Sequence, residues 1–139
     1  MIDIIDLLFL IPGTLLAWIT SFLVHELMHI KSQGINVEGT IWVHNPFSMT
    51  VGAKEMPRPN LFWFAGGIYS GTIFIIFALM LSYYNAWGLY VPMGTFGVIN
   101  LFYGFWEGIK GPEGRYKIYG ATTLLMIIFW LIHYWLVLS

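Results

Sequence analysis

The sequence predicts a mainly α-helical membrane protein. We expect a four-span helical bundle with a small amphipathic β-hairpin on the cytoplasmic side between spans 1 and 2. Of its 139 residues, 58% are hydrophobic and only 9% are charged, whereas soluble domains carry about 25% charged residues. Four stretches also reach the roughly 20 apolar residues that a transmembrane helix needs. The length leaves room for one compact unit, so residues 1–139 are predicted to be a single integral-membrane domain.

The four apolar stretches are the predicted transmembrane helices. They cover approximately residues 7–30, 61–84, 87–106 and 118–138. Pro12-Gly13 in the first stretch either kinks the helix or separates an interfacial piece from a span that begins near Thr14. Short connections after the second and third stretches predict that those neighbours pack antiparallel.

A pattern of period two predicts the β-hairpin, at approximately residues 35–51. The apolar series, interrupted at Gly39, consists of Ile35, Val37, Ile41 and Val43, followed by Phe47, Met49 and Val51. Polar residues alternate with most of this series, and His44-Asn45-Pro46 is a turn signal between its two halves. Because an isolated hairpin is marginally stable in water, we expect this one to lean on the helices or on the membrane surface.

The basic residues predict the orientation in the membrane. All six lie in two loops, with Lys31, Lys54 and Arg58 in the first, and Lys110, Arg115 and Lys117 in the other. Four alternating spans put both loops on the same side, which the positive-inside rule makes cytoplasmic. Both termini of this multi-pass protein are then expected outside. The lipid bilayer is a predicted partner, and the absence of nucleic-acid motifs predicts no nucleic-acid partner.

The segment His25-Glu26-Leu27-Met28-His29 is an HExxH pattern near the cytoplasmic end of the first span. On a helix, this spacing places both imidazoles on one face, one turn apart, as two ligands of one zinc ion require. Glu26 is left free to act as the general base of a hydrolase. The alternative is a pair of surface histidines near a helix end, but ionisable residues inside spanning helices are usually functional.

A catalytic Zn²⁺ site needs a third protein ligand and one open position. Glu107 lies at the cytoplasmic end of the third span, at a depth similar to that of the two histidines, and is the favoured candidate. His44, Glu113 and Asn100 remain alternatives. Glu107 has an alternative interpretation of its own, as a helix-end carboxylate paired with Lys110.

The order of these motifs resembles the site-2 protease family of intramembrane zinc metalloproteases. Residues 24–29 match its first motif, and residues 34–51 occupy the place of its membrane-associated strands. The segment Ala65-Gly66-Gly67-Ile68-Tyr69-Ser70 resembles its GxxxN-type motif, with Ser70 where asparagine is common. Asn100-Leu101 followed by Glu107-Gly108 resembles the motif that carries its third zinc ligand, with glutamate in place of aspartate.

This resemblance implies an intramembrane zinc endopeptidase that cleaves transmembrane or membrane-adjacent peptide segments. It assigns the ligands to His25, His29 and Glu107, the general base to Glu26, and substrate-binding or oxyanion roles to Asn100 and Ser70. Independently of the resemblance, small residues such as Gly66, Ser70 and Gly71 favour close helix packing, and Asn100 is a candidate for an interhelical hydrogen bond.

Two other hypotheses remain open at this stage. One is a non-proteolytic metal-binding membrane protein, such as a regulator or a transporter component. The other is a small structural membrane protein in which HExxH is accidental. So small a bundle is also compatible with a homo-oligomer.

Overall fold

The computed structural model describes residues 4–45 and 48–111, together with the single positions 128, 132 and 135. The described elements are α1 (Ile4–Ser32), β1 (Gly39–Asn45), β2 (Ser48–Ala53), α2 (Pro59–Tyr83) and α3 (Trp87–Lys110). The prediction of a mainly helical protein with one antiparallel hairpin is confirmed. The first three predicted spans coincide with α1, α2 and α3. The fourth, at residues 118–138, falls outside the described residues except for those single positions.

Two of the described helices are long and apolar enough to cross a membrane by length and composition, over Leu8–Ser32 and Pro59–Tyr83. The described part of the chain therefore does not support the full count of four spans. The helix α3 has sufficient length at 24 residues. It contains several glycines together with Asn100 and Glu107, and these residues lower its average hydropathy.

Pro12 and Gly13 neither divide α1 nor separate an interfacial piece from it, because one helix runs through both residues. Proline removes one backbone hydrogen bond, a loss that a helix tolerates when it packs against neighbours. Gly13 lies against the carbonyl oxygen of Gly88 in α3, where a Cβ atom would have no room. The glycine therefore allows the start of α3 to pack closely on α1.

The three helices pack through small residues, as the sequence predicted. A Cβ atom on Gly67 of α2 would overlap the backbone of Asn100 and Gly104 in α3. A Cβ on Gly71 would lie 2.7 Å from the carbonyl oxygen of Gly97. On α1, the buried stripe recurs at every fourth residue, at Gly13, Ala17, Ser21, His25 and His29. Close backbone contact of this kind is how helices associate where no hydrophobic effect drives them together.

The hairpin packs against the end of α1 and the beginning of α2. Its strands pair with Ile41 opposite Val51 and Val43 opposite Met49. Val51 is buried with Ile30 of α1 and Phe62 of α2. Gly39 interrupts the apolar series because a Cβ atom there would lie 2.6 Å from Cδ1 of Ile30.

A buried glutamine connects the end of α1 to the segment that enters α2. Gln33 is 3% exposed. Its Oε1 accepts a hydrogen bond from the backbone N–H of Arg58 at 2.8 Å, and its Nε2 donates to the carbonyl oxygen of Arg58 at 3.0 Å. This two-point contact fixes the first turn of α2 relative to the last turn of α1.

Candidate metal centre

Three ligand-type side chains from two helices meet at the end of the bundle where the hairpin lies. The Nε2 atom of His25 is 3.1 Å from Nε2 of His29 and 3.1 Å from Oε2 of Glu107. The Nε2 atom of His29 is 3.3 Å from the same Glu107 oxygen. All three residues are buried, with exposures of 4%, 0% and 2% for His25, His29 and Glu107. The structure therefore brings together the three residues predicted as metal ligands.

The dimensions of this triangle fit one tetrahedral metal ion. Zinc binds nitrogen and oxygen ligands at about 2.0–2.1 Å, so two ligand atoms of a regular tetrahedron lie about 3.3–3.4 Å apart. The three distances between ligand atoms, 3.1 to 3.3 Å, are close to that value. Two imidazole nitrogens and one carboxylate oxygen are a common set for catalytic zinc, with the fourth position open for water or substrate.

Each histidine is oriented by a hydrogen bond from its other ring nitrogen. The Nδ1 atom of His29 donates to the backbone carbonyl oxygen of Phe62, and the rings of His29 and Phe62 stack with centroids 4.8 Å apart. The Nδ1 atom of His25 lies 3.0 Å from Oδ1 of Asn100. An imidazole that donates from Nδ1 presents the lone pair of Nε2, which is the atom that points into the triangle.

Gly66 of α2 makes room for the ring of His29. A Cβ atom at this position would overlap Nε2, Cε1 and Cδ2 of that ring. Gly66 therefore accommodates a side chain of the candidate metal centre, in addition to the helix packing predicted from the sequence.

We expect Gly66→Ala to weaken zinc binding about 5- to 150-fold, because the added methyl group displaces His29 from its position. Overpacking of this kind costs about 1–3 kcal/mol, and about 1.4 kcal/mol corresponds to a factor of ten. The measurement is a competition titration with a zinc chelator on the purified protein. Gly94→Ala is the matched control, because the nearest atom to its added Cβ is Cβ of Ala78 at 3.5 Å, an ordinary contact. Equal zinc affinity in the two variants would contradict the role of Gly66.

Glu26 lies between the two histidine ligands on α1. Its side chain is buried, with 6% of its surface exposed, so little water surrounds this carboxylate. It is not one of the three groups whose donor atoms lie within 4.8 Å of one another. Its role as a general base stays a prediction.

The alternatives for the third ligand are placed differently. His44 is exposed on the hairpin, where its Nε2 lies 2.9 Å from Oγ1 of Thr50. Asn100 contacts His25 from behind, and Glu113 lies outside the described residues. Lys110 sits over the ring of Trp106 at 5.7 Å, whereas Glu107 contacts the two histidines. These positions favour Glu107 as the third ligand over a helix-end ion pair with Lys110.

The two residues predicted to bind substrate are both buried. Ser70 is fully buried, and its hydroxyl donates to the carbonyl oxygen of Gly67 at 3.3 Å. Asn100 is 7% exposed, and its hydrogen bonds go to the protein. Their roles toward a substrate stay predictions.

Sequence reasoning missed several residues that support the site. The rings of Tyr103 and His25 pack edge to face, with their centroids 5.1 Å apart. The hydroxyl of Ser21 accepts a hydrogen bond from the amide of Asn100. Ser21 carries a signal in its spacing, since it precedes His25 by the four residues that separate the two histidines. The sequence gives no signal for the contact with Phe62, because every residue type has a backbone carbonyl.

No family model, curated protein or solved structure matches this chain. The assignment of the metal centre therefore depends on the geometry of the chain's own residues.

Proposed function

We propose that this chain is an intramembrane zinc endopeptidase that cleaves transmembrane or membrane-adjacent peptide segments. The observation that supports it best is the buried triangle of His25, His29 and Glu107 with Glu26 beside it. Two histidines and a carboxylate as ligands, with a glutamate next to the first histidine, form the set of groups used by HExxH peptidases. The resemblance to the site-2 protease family supports the same proposal.

The distribution of polar and apolar side chains supports a membrane environment. Polar and ionisable residues are buried between the helices, among them Ser21, His25, Glu26, Asn100 and Glu107. Large apolar side chains point outward along α1 and α2, including Leu8, Ile11, Leu15, Ile76, Leu79 and Met80. A soluble monomer seldom exposes so extensive an apolar surface, whereas lipid accommodates it. We therefore propose that α1, α2 and α3 all span the bilayer, with residues 118–138 as a fourth span.

The candidate metal centre lies close to the C-terminal ends of α1 and α3. His29 is three residues from the end of α1, and Glu107 is three residues from the end of α3. At a rise of 1.5 Å per residue, these ligands lie only about 5 Å from the helix ends. Lys31, Lys54, Arg58 and Lys110 are at this end, so we place it at the cytoplasmic face and both termini outside. Water would reach the site from that face.

The absence of cysteine allows a direct test of this topology. We expect Asn36→Cys, in the loop after α1, to react with a membrane-impermeant maleimide only from the cytoplasmic side. Tyr84→Cys, between α2 and α3, should react only from outside, and both residues are exposed. The measurement compares intact cells with inverted membrane vesicles. Labelling of both positions from the same side would contradict the proposed spans.

In the proposed reaction, a metal ion held by His25, His29 and Glu107 would act as a Lewis acid toward the scissile carbonyl and would make water nucleophilic near neutral pH. The carboxylate of Glu26 takes the proton from the attacking water and passes it to the leaving amine. His25 and His29 keep their Nε2 lone pairs directed into the site through their hydrogen bonds to Asn100 and Phe62. The buried surroundings strengthen these electrostatic interactions, because little water screens them.

The test of this proposal is the metal content of detergent-purified protein, followed by cleavage assays on a transmembrane peptide in proteoliposomes. We expect about one zinc per chain, as three protein ligands imply, and cleavage that a chelator abolishes and added zinc restores. Zinc without cleavage of any membrane substrate would favour the non-proteolytic metal-binding protein. A folded chain that binds no transition metal would reject both.

A further inference from the structure

A buried chain of hydrogen bonds connects α1 and α3 behind the metal centre. Nδ2 of Asn100 donates to Oγ of Ser21 at 2.6 Å and to the carbonyl oxygen of Phe96 at 2.9 Å. Oδ1 of the same amide lies 3.0 Å from Nδ1 of His25. Ser21, His25 and Asn100 are 4%, 4% and 7% exposed, so water competes little for these bonds.

The orientation of the Asn100 amide follows from its partners. A backbone carbonyl can only accept, so the amide nitrogen must face the carbonyl of Phe96, and the amide oxygen must face His25. The reversed amide would place two oxygen acceptors against each other at Phe96. The hydroxyl of Ser21 accepts the second N–H of the amide and holds the same orientation from α1.

This orientation selects one tautomer of His25. A neutral imidazole has one N–H, and the oxygen of Asn100 requires that it be on Nδ1. The lone pair is then on Nε2, the atom that faces His29 and Glu107. The opposite tautomer would leave a proton on Nε2 and could not bind a metal there.

We propose that Asn100 and Ser21 are positioning residues that select the metal-binding tautomer of His25. This inference rests on the metal centre of the proposed function but not on its peptidase activity. Asn100 thereby has a role distinct from the substrate-binding one expected from the sequence. Ser21, to which the sequence assigned no role, supports Asn100 in it. Three of the four hydrogen-bonding capacities of the Asn100 amide are already used within the protein, which agrees with this assignment.

The test measures the tautomer and the metal affinity separately. In metal-free protein labelled with ¹⁵N-histidine, at a pH high enough for the imidazoles to be neutral, NMR distinguishes protonated from unprotonated ring nitrogens, and His25→Gln identifies the resonances of His25. Cobalt affinity is then measured from its visible absorption. We expect wild-type His25 to be protonated at Nδ1, and Asn100→Leu to show a mixture of tautomers and bind cobalt about 10- to 100-fold more weakly.

Two further variants separate positioning from general packing. Asn100→Asp keeps an acceptor for Nδ1 of His25, so we expect it to retain the Nδ1–H tautomer and bind cobalt more tightly than Asn100→Leu. Ser21→Ala leaves the carbonyl of Phe96 in place, so we expect a smaller loss, about two- to tenfold. Thr95→Val is the matched control on α3, since its hydroxyl donates to the carbonyl of Val91 in the same helix, at 2.8 Å.

The outcomes separate this inference from the proposed function. Unchanged tautomer and cobalt affinity in folded Asn100→Leu would overturn the inference and leave the metal centre standing. A wild-type Nδ1–H tautomer that Asn100→Leu loses, in a protein that binds no metal, would support the selection of the tautomer and reject the zinc peptidase. If Asn100→Leu does not fold, equal cobalt affinities in wild type and Ser21→Ala, with the tautomer unchanged, would overturn the inference.

Discussion

Glu107→Gln is expected to remove zinc from the purified protein, from about one ion per chain to a small fraction of that. Glutamine has the size of glutamate and can still hydrogen-bond to His25, but it lacks the negative charge that makes the carboxylate a zinc ligand. The remaining two imidazoles are too few for a stable protein site. His29→Ala should have the same effect, because it removes another corner of the triangle. The measurement is elemental analysis after gel filtration in detergent.

Matched controls distinguish loss of a ligand from loss of charge or fold. Glu55→Gln and His44→Ala change the same residue types at exposed positions away from the triangle. Both should keep about one zinc per chain. If Glu107→Gln also kept its zinc at unchanged affinity, the third ligand would have to come from another residue, and Glu113 would be the next to replace. A helical circular dichroism spectrum close to that of wild type in each variant completes the comparison.

Glu26→Gln should separate metal binding from catalysis. The side chain is not in the ligand triangle, so zinc should remain at about one per chain. General base catalysis typically contributes 10²–10⁴-fold, so we expect cleavage of a transmembrane peptide to fall by about that factor. The measurement is the initial rate of cleavage in proteoliposomes at matched zinc content.

The outcome for Glu26→Gln also distinguishes the two functional hypotheses. A fully active variant would falsify the role of Glu26 as general base. A wild-type protein that holds zinc tightly but gives no cleavage, with Glu26→Gln identical to it, would fit a regulator or transporter component. Binding a metal requires no glutamate between the two histidines, whereas activating water does.

The sequence predicted those parts of the structure that leave a periodic or positional signal. Period two located the hairpin, although its strands are Gly39–Asn45 and Ser48–Ala53, so they begin later and end later than the predicted residues 35–51. Matching depth from the ends of the first and third predicted spans pointed to Glu107, because two helices that are both antiparallel to α2 run in the same direction and end at the same level. Apolar length located the helices α1, α2 and α3, whose bounds differ from the predicted ones by at most four residues.

Other features depend on contacts between distant residues and could not be predicted from the sequence. The hydrogen bond from His29 to the carbonyl of Phe62 requires a particular rotation of α2 against α1, and residue type says nothing about it. The glycine at position 66 gave a packing signal, but only the structure shows the ring of His29 in the space that a side chain would fill. The sequence allowed two interpretations of Asn100, as a substrate-binding residue or as an interhelical hydrogen-bonding residue. Its partners on α1 can be identified only from the packing of α1 against α3.

If the proposed metal binds, the contacts around the two histidines would link metal occupancy thermodynamically to helix assembly. His25 is hydrogen-bonded to Asn100 of α3, and His29 to the backbone of Phe62 in α2. The third ligand-type residue, Glu107, lies in the last turn of α3. A ligand that binds only the assembled bundle stabilises it, by about 4 kcal/mol when its free concentration is a thousand times Kd. At several places the helices meet at glycines, which offer little side-chain surface. The ion would thus act as a crosslink between α1 and α3, and its removal would loosen the bundle as well as stop chemistry.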